Sequence, residues 1–232
     1  MKYKDQVIAA DKWKFDAEVT DVFDEMLSRS IPDYAGMRRT TTEIATRFAQ
    51  PGTAIVDLGC SRGAALRPII DILKNECSYV GVEVSEPMRE AAVKEIPEAN
   101  IIDLDLRETY PNVLSSVTLA VLTIQFVPIE YRQRIIADAY DKTVQGGVIL
   151  LVEKVLGSDF YANRLLIETY LNRKGENGYT EEQITKKRRS LEGVLVPVTA
   201  DWNVDLLDKA GWKHVDCYWR HLNFASWFGI KE

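Results

Sequence analysis

Along the first fifty residues the apolar positions recur every three or four. Phe15, Val19, Val22, Phe23, Met26 and Leu27 fall on one side of a helix, because 3.6 residues per turn stack such positions. Ser30-Ile31-Pro32-Asp33-Tyr34 breaks the pattern. A second helical run covers 38–48 before Gln50-Pro51-Gly52 stops it. From Thr53 the spacing changes: Ala54-Ile55-Val56-Asp57-Leu58 is a short, nearly continuous apolar run, as expected of a strand covered on both faces.

The alternation then repeats. The spacing predicts helix over 64–74, strand over 79–83, helix over 86–95 and strand over 100–106. It then predicts strand over 119–126, helix over 131–143 and strand over 148–152, the last after the Gly146-Gly147 turn. Strands alternating with helices of about ten residues predict α/β architecture with a doubly wound, mostly parallel sheet. Residues 157–200 read as helical and polar, with 172–178 as a loop and a helix over 180–191. The tail reads as helix over 205–210 and two closely joined strands, 215–219 and 224–230, which would pair antiparallel at a sheet edge. One domain is expected: a helical cap (1–50), a core (51–155), a helical insertion (156–204), and a final helix with antiparallel strands (205–232). A mostly parallel sheet closed by an antiparallel edge strand is the architecture of the Rossmann-like methyltransferases.

Composition narrows the function without naming it. The 232 residues are 46% hydrophobic and 28% charged, which suits one globular core and not a disordered chain. No apolar run approaches the ~18 residues of a membrane helix, and Met1-Lys2-Tyr3-Lys4-Asp5 lacks the apolar stretch of a signal peptide. A soluble cytoplasmic protein without membrane contact is the expectation. The net charge of −6 weighs against direct nucleic-acid binding, which needs a basic face to neutralise phosphates. Three cysteines without paired spacing and two histidines suggest neither a disulfide framework nor a metal site.

The sharpest local signal is Val56-Asp57-Leu58-Gly59-Cys60-Ser61-Arg62-Gly63, between a predicted strand and a predicted helix. Gly59 and Gly63 permit the turn and let backbone approach a ligand closely. Ser61 stands where the dinucleotide fingerprint has the glycine that admits a pyrophosphate, so a nucleoside without phosphates is favoured. S-adenosylmethionine (SAM) is the common one. Glu83 ends the second predicted strand 20 residues beyond Gly63, the separation at which an acid accepts both ribose hydroxyls. Asp105 follows at the end of the third, placed to take an adenine amine. Each acid alone also reads as a solvated strand end; their joint order favours the nucleoside. Lys186-Lys187-Arg188-Arg189 is the one basic cluster. Its side chains fan out by about 100° per residue. It reads either as a solvated helix with Arg188 paired to Glu192, or as an Arg turned inward to clamp a carboxylate with two parallel hydrogen bonds.

Further segments carry a resemblance. Trp13-Lys14-Phe15-Asp16, Arg29-Ser30-Ile31-Pro32-Asp33-Tyr34, Arg47-Phe48-Ala49-Gln50-Pro51-Gly52-Thr53 and Asp57-Leu58-Gly59-Cys60-Ser61 belong to it. So do Gln125-Phe126, Glu153-Lys154, Asn177-Gly178-Tyr179, Lys187-Arg188 with Leu191-Glu192, and Asn223-Phe224. On these the sequence resembles the carboxy-S-adenosyl-L-methionine synthases, bacterial enzymes that supply the carboxymethyl donor for wobble-uridine modification in tRNA. The resemblance implies that Tyr34, Gly59, Cys60, Ser61, Glu83, Asp105 and Leu106 bind SAM or its carboxylated product. Val84 and Val121 occupy ligand-contacting positions where the family carries Asn, and Arg62 replaces a usually apolar residue. Arg188 is implied to hold the added carboxylate, as the catalytic residue. Prephenate is implied as the carboxyl donor, phenylpyruvate as the by-product, and a homodimer as the assembly. A SAM-dependent methyltransferase of a small molecule and a noncatalytic SAM-binding protein are the alternatives.

Overall fold

The computed structural model describes residues 3–5, 7 and 11–232. Helix α1 (Ala17–Ser30) starts where the Asp16 side chain accepts the Val19 N–H, and α2 (Tyr34–Phe48) follows Asp33, whose backbone is left-handed. Then come β1 (Ala54–Leu58), α3 (Arg67–Leu73), β2 (Ser78–Val82), α4 (Glu86–Glu95) and β3 (Asn100–Ile102). After them come β4 (Ser115–Val121), α5 (Ile129–Lys142), β5 (Thr143–Leu156), α6 (Phe160–Glu176), α7 (Glu181–Leu191), β6 (Val198–Thr199), α8 (Ala200–Lys209), β7 (Lys213–His221) and β8 (Phe224–Ile230).

The strand order is β3-β2-β1-β4-β5-β8-β7, with β6 beside the end of β5. All pairings from β3 to β5 are parallel; β8 runs antiparallel to both β5 and β7, so the reversed strand sits one place in from the edge. Alternate residues of a strand face opposite layers. Ala54, Val56 and Leu58 therefore pack with Ile135, Ile136 and Trp212, while Ile55 packs with Ala45, Ile69 and Ile70 on the other face. Chain order reverses between β1 and β4, and that switch point opens a crevice beyond their carboxyl ends. Helix α1 packs over it through Val19, Phe23 and Met26 against Met88 of α4.

Several boundaries differ from the sequence reading. Of the predicted loop 172–178 only Asn177 and Gly178 form a turn: α6 runs through Glu176, because Tyr170 and Lys174, one turn apart, are both buried and hold its last turns. Strand β4 begins four residues earlier than predicted. Its Ser115, Ser116 and Thr118 are buried and satisfied locally, Ser116 Oγ accepting from Gln50 N and Thr53 Oγ1. It also stops at Val121: Leu122 turns left-handed and Ile124–Phe126 form a 3-10 turn. The third strand ends at Ile102, and the predicted helix over 64–74 shortens to α3.

Candidate functional site

A cavity of about 410 Å³ fills the crevice, walled by the loops after β1, β2, β3 and β4 and closed by α1, α2, α6 and α7. At its first end the glycine loop turns with positive φ at Gly59 (70°), Ser61 (49°) and Gly63 (83°). A Cβ on Gly59 would strike Thr123, and one on Gly63 would strike Ile96. This turn aims Ser61 N at Glu83 Oε2 (2.9 Å), while Ser85 N, at the cap of α4, donates to Glu83 Oε1 (2.9 Å). Each carboxylate oxygen thus spends one lone pair on backbone and keeps acceptor capacity. Burial raises the pKa of Glu83, opposed by those backbone hydrogen bonds. Arg107 clamps Asp105 through its backbone N (2.8 Å) and Nε (2.9 Å) and holds that carboxyl below its usual range.

Beside the loop, Asp57 is buried and neither of its carboxylate oxygens has a hydrogen-bond partner. Burial pushes its carboxyl up to about 7, against the pull of Arg38. Tyr34 and Arg38 lie one turn apart on α2, the guanidinium carbon 6.0 Å from the Tyr34 ring centre, and both line the cavity with Asp57. An anion and a cation side by side suit a zwitterionic amino acid. Burial also raises the Cys60 thiol well above its ordinary range, keeping it neutral.

A basic region lies on another part of the wall. Lys154 from β5, Lys174 from α6 and Lys187 from α7 all line the cavity. Lys174 is 5% exposed and Lys187 8%, and Lys187 Nζ has no hydrogen-bond partner. Burial pushes the three ammonium groups down, to about 8, 7 and 8 respectively. Behind them the 121–128 loop is braced from inside. Glu153 Oε1 accepts Ile124 N (3.0 Å), Gln125 Oε1 accepts Lys154 N (2.7 Å), and Arg132 donates to the Val127 and Val196 carbonyls (both 2.8 Å).

No protein-family model matches the chain. It is 36% identical to a carboxy-S-adenosyl-L-methionine synthase of Methylococcus capsulatus, over 99% of this chain and 98% of that protein. A synthase of the same name from Staphylococcus epidermidis is 33% identical over 95% of this chain and 97% of that one. The chain belongs to the carboxy-S-adenosyl-L-methionine synthase family. Solved structures add the fold. An O-methyltransferase family protein from Burkholderia thailandensis matches with a TM-score of 0.67 at 14% identity, over 94% of this chain and 61% of that one. Human N-acetylserotonin methyltransferase in complex with SAM matches at 0.62 and 15%, over 93% and 55%. The chain thus spans a little over half of these longer proteins.

Of the site residues expected from the sequence, Tyr34, Gly59, Cys60, Ser61, Glu83, Val84, Asp105, Leu106 and Val121 all line the cavity. Arg188 does not. It lies exposed on α7, outside the lining, though its charge contributes to lowering the pKa of Lys154. The alternative, a pairing with Glu192, is not formed either: α7 ends at Leu191 and Glu192 is extended, so the i,i+4 geometry is lost. Sequence reasoning passed over Arg38, Lys154, Lys174 and Lys187 as site residues. A signal existed on α7, where Ile184 and Leu191 mark the inward side. Lys187 and Arg188 are equivalent to that spacing, being i+3 and i+4 from Ile184, and the docking of the helix turns Lys187 inward.

Proposed function

We propose that this protein is a carboxy-SAM synthase that moves a carboxyl group from prephenate to the methyl carbon of SAM, giving carboxy-SAM and phenylpyruvate. Family membership supports the reaction class. The observation that carries the reading is the cavity's division: acids placed for a nucleoside on one side, three lysines on another. A plain methyl donor needs no cations in its pocket; a carboxylated one does.

The residues present fit SAM. The two unpartnered oxygens of Asp57 are accounted for by an α-ammonium group, with Arg38 and Tyr34 beside it for the carboxylate. Glu83 takes the ribose hydroxyls and Asp105 the adenine amine; Val84, Leu106 and Val121 supply apolar contact. The sulfonium, when bound, stabilises a carbanion on the neighbouring carbon. The protein's own task is then to hold two charged substrates together and keep water out. Phe15, Phe23 and Phe126 form the aromatic closure on the α1 side, Phe15 and Phe126 packed edge to face at 5.1 Å. Overall, one carbon–carbon bond breaks in prephenate and one forms at the methyl carbon, the methyl proton leaving with prephenate's ring hydroxyl as water. Arg188, exposed on α7, keeps its role toward the added carboxylate, and its charge already lowers the pKa of Lys154. The assembly is a cytoplasmic homodimer whose product serves wobble-uridine modification in tRNA; among the described residues no helix is long and apolar enough to cross a membrane.

Incubating the purified protein with SAM and prephenate tests this by mass spectrometry of phenylpyruvate and carboxy-SAM. Methylation of an acceptor without prephenate consumption, or bound SAM with no turnover, would refute it.

A further inference from the structure

Three ammonium groups gathered inside an acidic protein need an explanation beyond packing. Their arrangement alternates with aromatic rings. Lys154 Nζ lies 4.8 Å from the Tyr170 ring centre and Lys174 Nζ 5.8 Å from the same ring. Lys174 Nζ lies 4.7 Å from Tyr179, Lys187 Nζ 5.6 Å from Tyr179 and 5.0 Å from Trp13. Nearby anionic charge is scarce. Asp5, at 4.0 Å, is the carboxylate that reaches Lys187 among the described residues, and it also accepts a hydrogen bond from the Tyr179 hydroxyl. Arg29 stacks on Tyr179 at 4.0 Å, its own charge met by Glu25 at 3.3 Å. Cation–π contact alone replaces little of the hydration that a buried ammonium gives up.

SAM does not relieve this. Its sulfonium is positive, so placing it in the same cavity adds to the repulsion. An anion held between the lysines relieves both.

We propose that Lys154, Lys174 and Lys187 form the subsite for the carboxyl donor, a dicarboxylate whose anionic groups meet the three ammoniums while its ring lies between Tyr170 and Trp13, which line the cavity. This rests on the synthase reading above and assigns the donor's place within it. The subsite is built from these three lysines and does not include Arg188, which is exposed on α7. Lysine suits the donor, since a point charge on a flexible stem follows a carboxyl group that must leave, whereas a bidentate Arg would hold it in place. The three depressed ammonium pKa values fit as well, because donor binding would draw protons onto amines that the empty cavity leaves partly neutral.

The test compares Lys154→Met, Lys174→Met, Lys187→Met and Lys187→Arg with the wild type. Measured for each are KM and kcat for prephenate, the Kd for SAM by calorimetry, and the melting temperature. Each Met variant is expected to raise the prephenate KM about tenfold or more. It should leave the SAM Kd within about twofold and the melting temperature unchanged or higher, most clearly for Lys187→Met, which removes an unpartnered buried charge. Lys187→Arg should recover part of the loss. Unchanged KM in all three Met variants, or equal weakening of SAM, overturns the subsite while leaving the synthase reading intact. If the wild type yields no phenylpyruvate, that reading falls and the subsite is judged by binding. Quenching of tryptophan fluorescence by prephenate in the SAM complex, lost in the Met variants, supports it; no quenching in the wild type overturns it.

Discussion

Glu83 and Asp57 are two acids of one wall in opposite states of satisfaction. Glu83 receives the Ser61 and Ser85 N–H groups, whereas Asp57 receives none. Glu83→Gln keeps the shape and removes the charge-assisted acceptor, so SAM affinity should fall by about 1.5 to 3 kcal/mol, read by calorimetry. Asp57→Asn should act in two directions. It removes a carboxylate that burial holds near 7, so the ligand-free protein should gain stability at pH 8, on the order of 2 to 4 kcal/mol in urea melts. The same change should weaken SAM, since the ammonium loses its anion. Arg188→Ala should cost carboxy-SAM about 1.5 to 3 kcal/mol while sparing SAM; equal loss for both ligands would rule out its role. At this scale the strand-end acids were legible because strand ends are few and their chemistry is specific. Lys187 was not, because a helix places neighbours only 100° apart and its tilt decides which one turns in.

The glycine loop is the element whose sequence and geometry agree most closely. Gly59→Ala combines a left-handed φ with a collision against Thr123, and should cost about 1 to 3 kcal/mol of stability together with SAM binding. Trimming Thr123 to Ser should restore only part, because the φ penalty remains; full rescue would contradict the backbone argument. The neighbouring 121–128 loop was misread as strand, since Leu122, Ile124 and Phe126 continue an apolar run. What bends it is a long-range contact, the buried Glu153 carboxylate accepting Ile124 N from the next strand. Helix α6 was cut short in the reading because Asn172 to Glu176 are polar, yet inward-facing Tyr170 and Lys174 carry the helix through them.

Across the whole molecule, an acidic surface encloses a cavity whose wall carries three lysines. This shapes how stability depends on pH. Asp57 (about 7, beside Arg38 and Glu83) and Glu153 (about 8, facing Arg132) are raised, so the folded state binds protons that the unfolded chain has released. Stability from these groups falls as pH rises from roughly 4 to 8. Lys154, Lys174 and Lys187, facing Asp5, Arg29 and Arg188, are lowered, so there the unfolded state holds the extra protons. Stability from the lysines rises between roughly 7 and 10.5. Urea melts from pH 5 to 10 should therefore pass through a minimum near neutrality, and the three Lys→Met changes combined should flatten its alkaline side. A monotonic profile would count against this opposition of buried charges. The parallel sheet, the glycine loop and the acids at the strand ends were determined by the sequence alone, because strand and helix periods and a glycine turn are local properties of a chain. That Lys187 faces inward beside Lys154 and Lys174 while Arg188 faces out was decided only by tertiary structure. Those residues come from different elements, and only the packing of α6 and α7 over the crevice sets their directions.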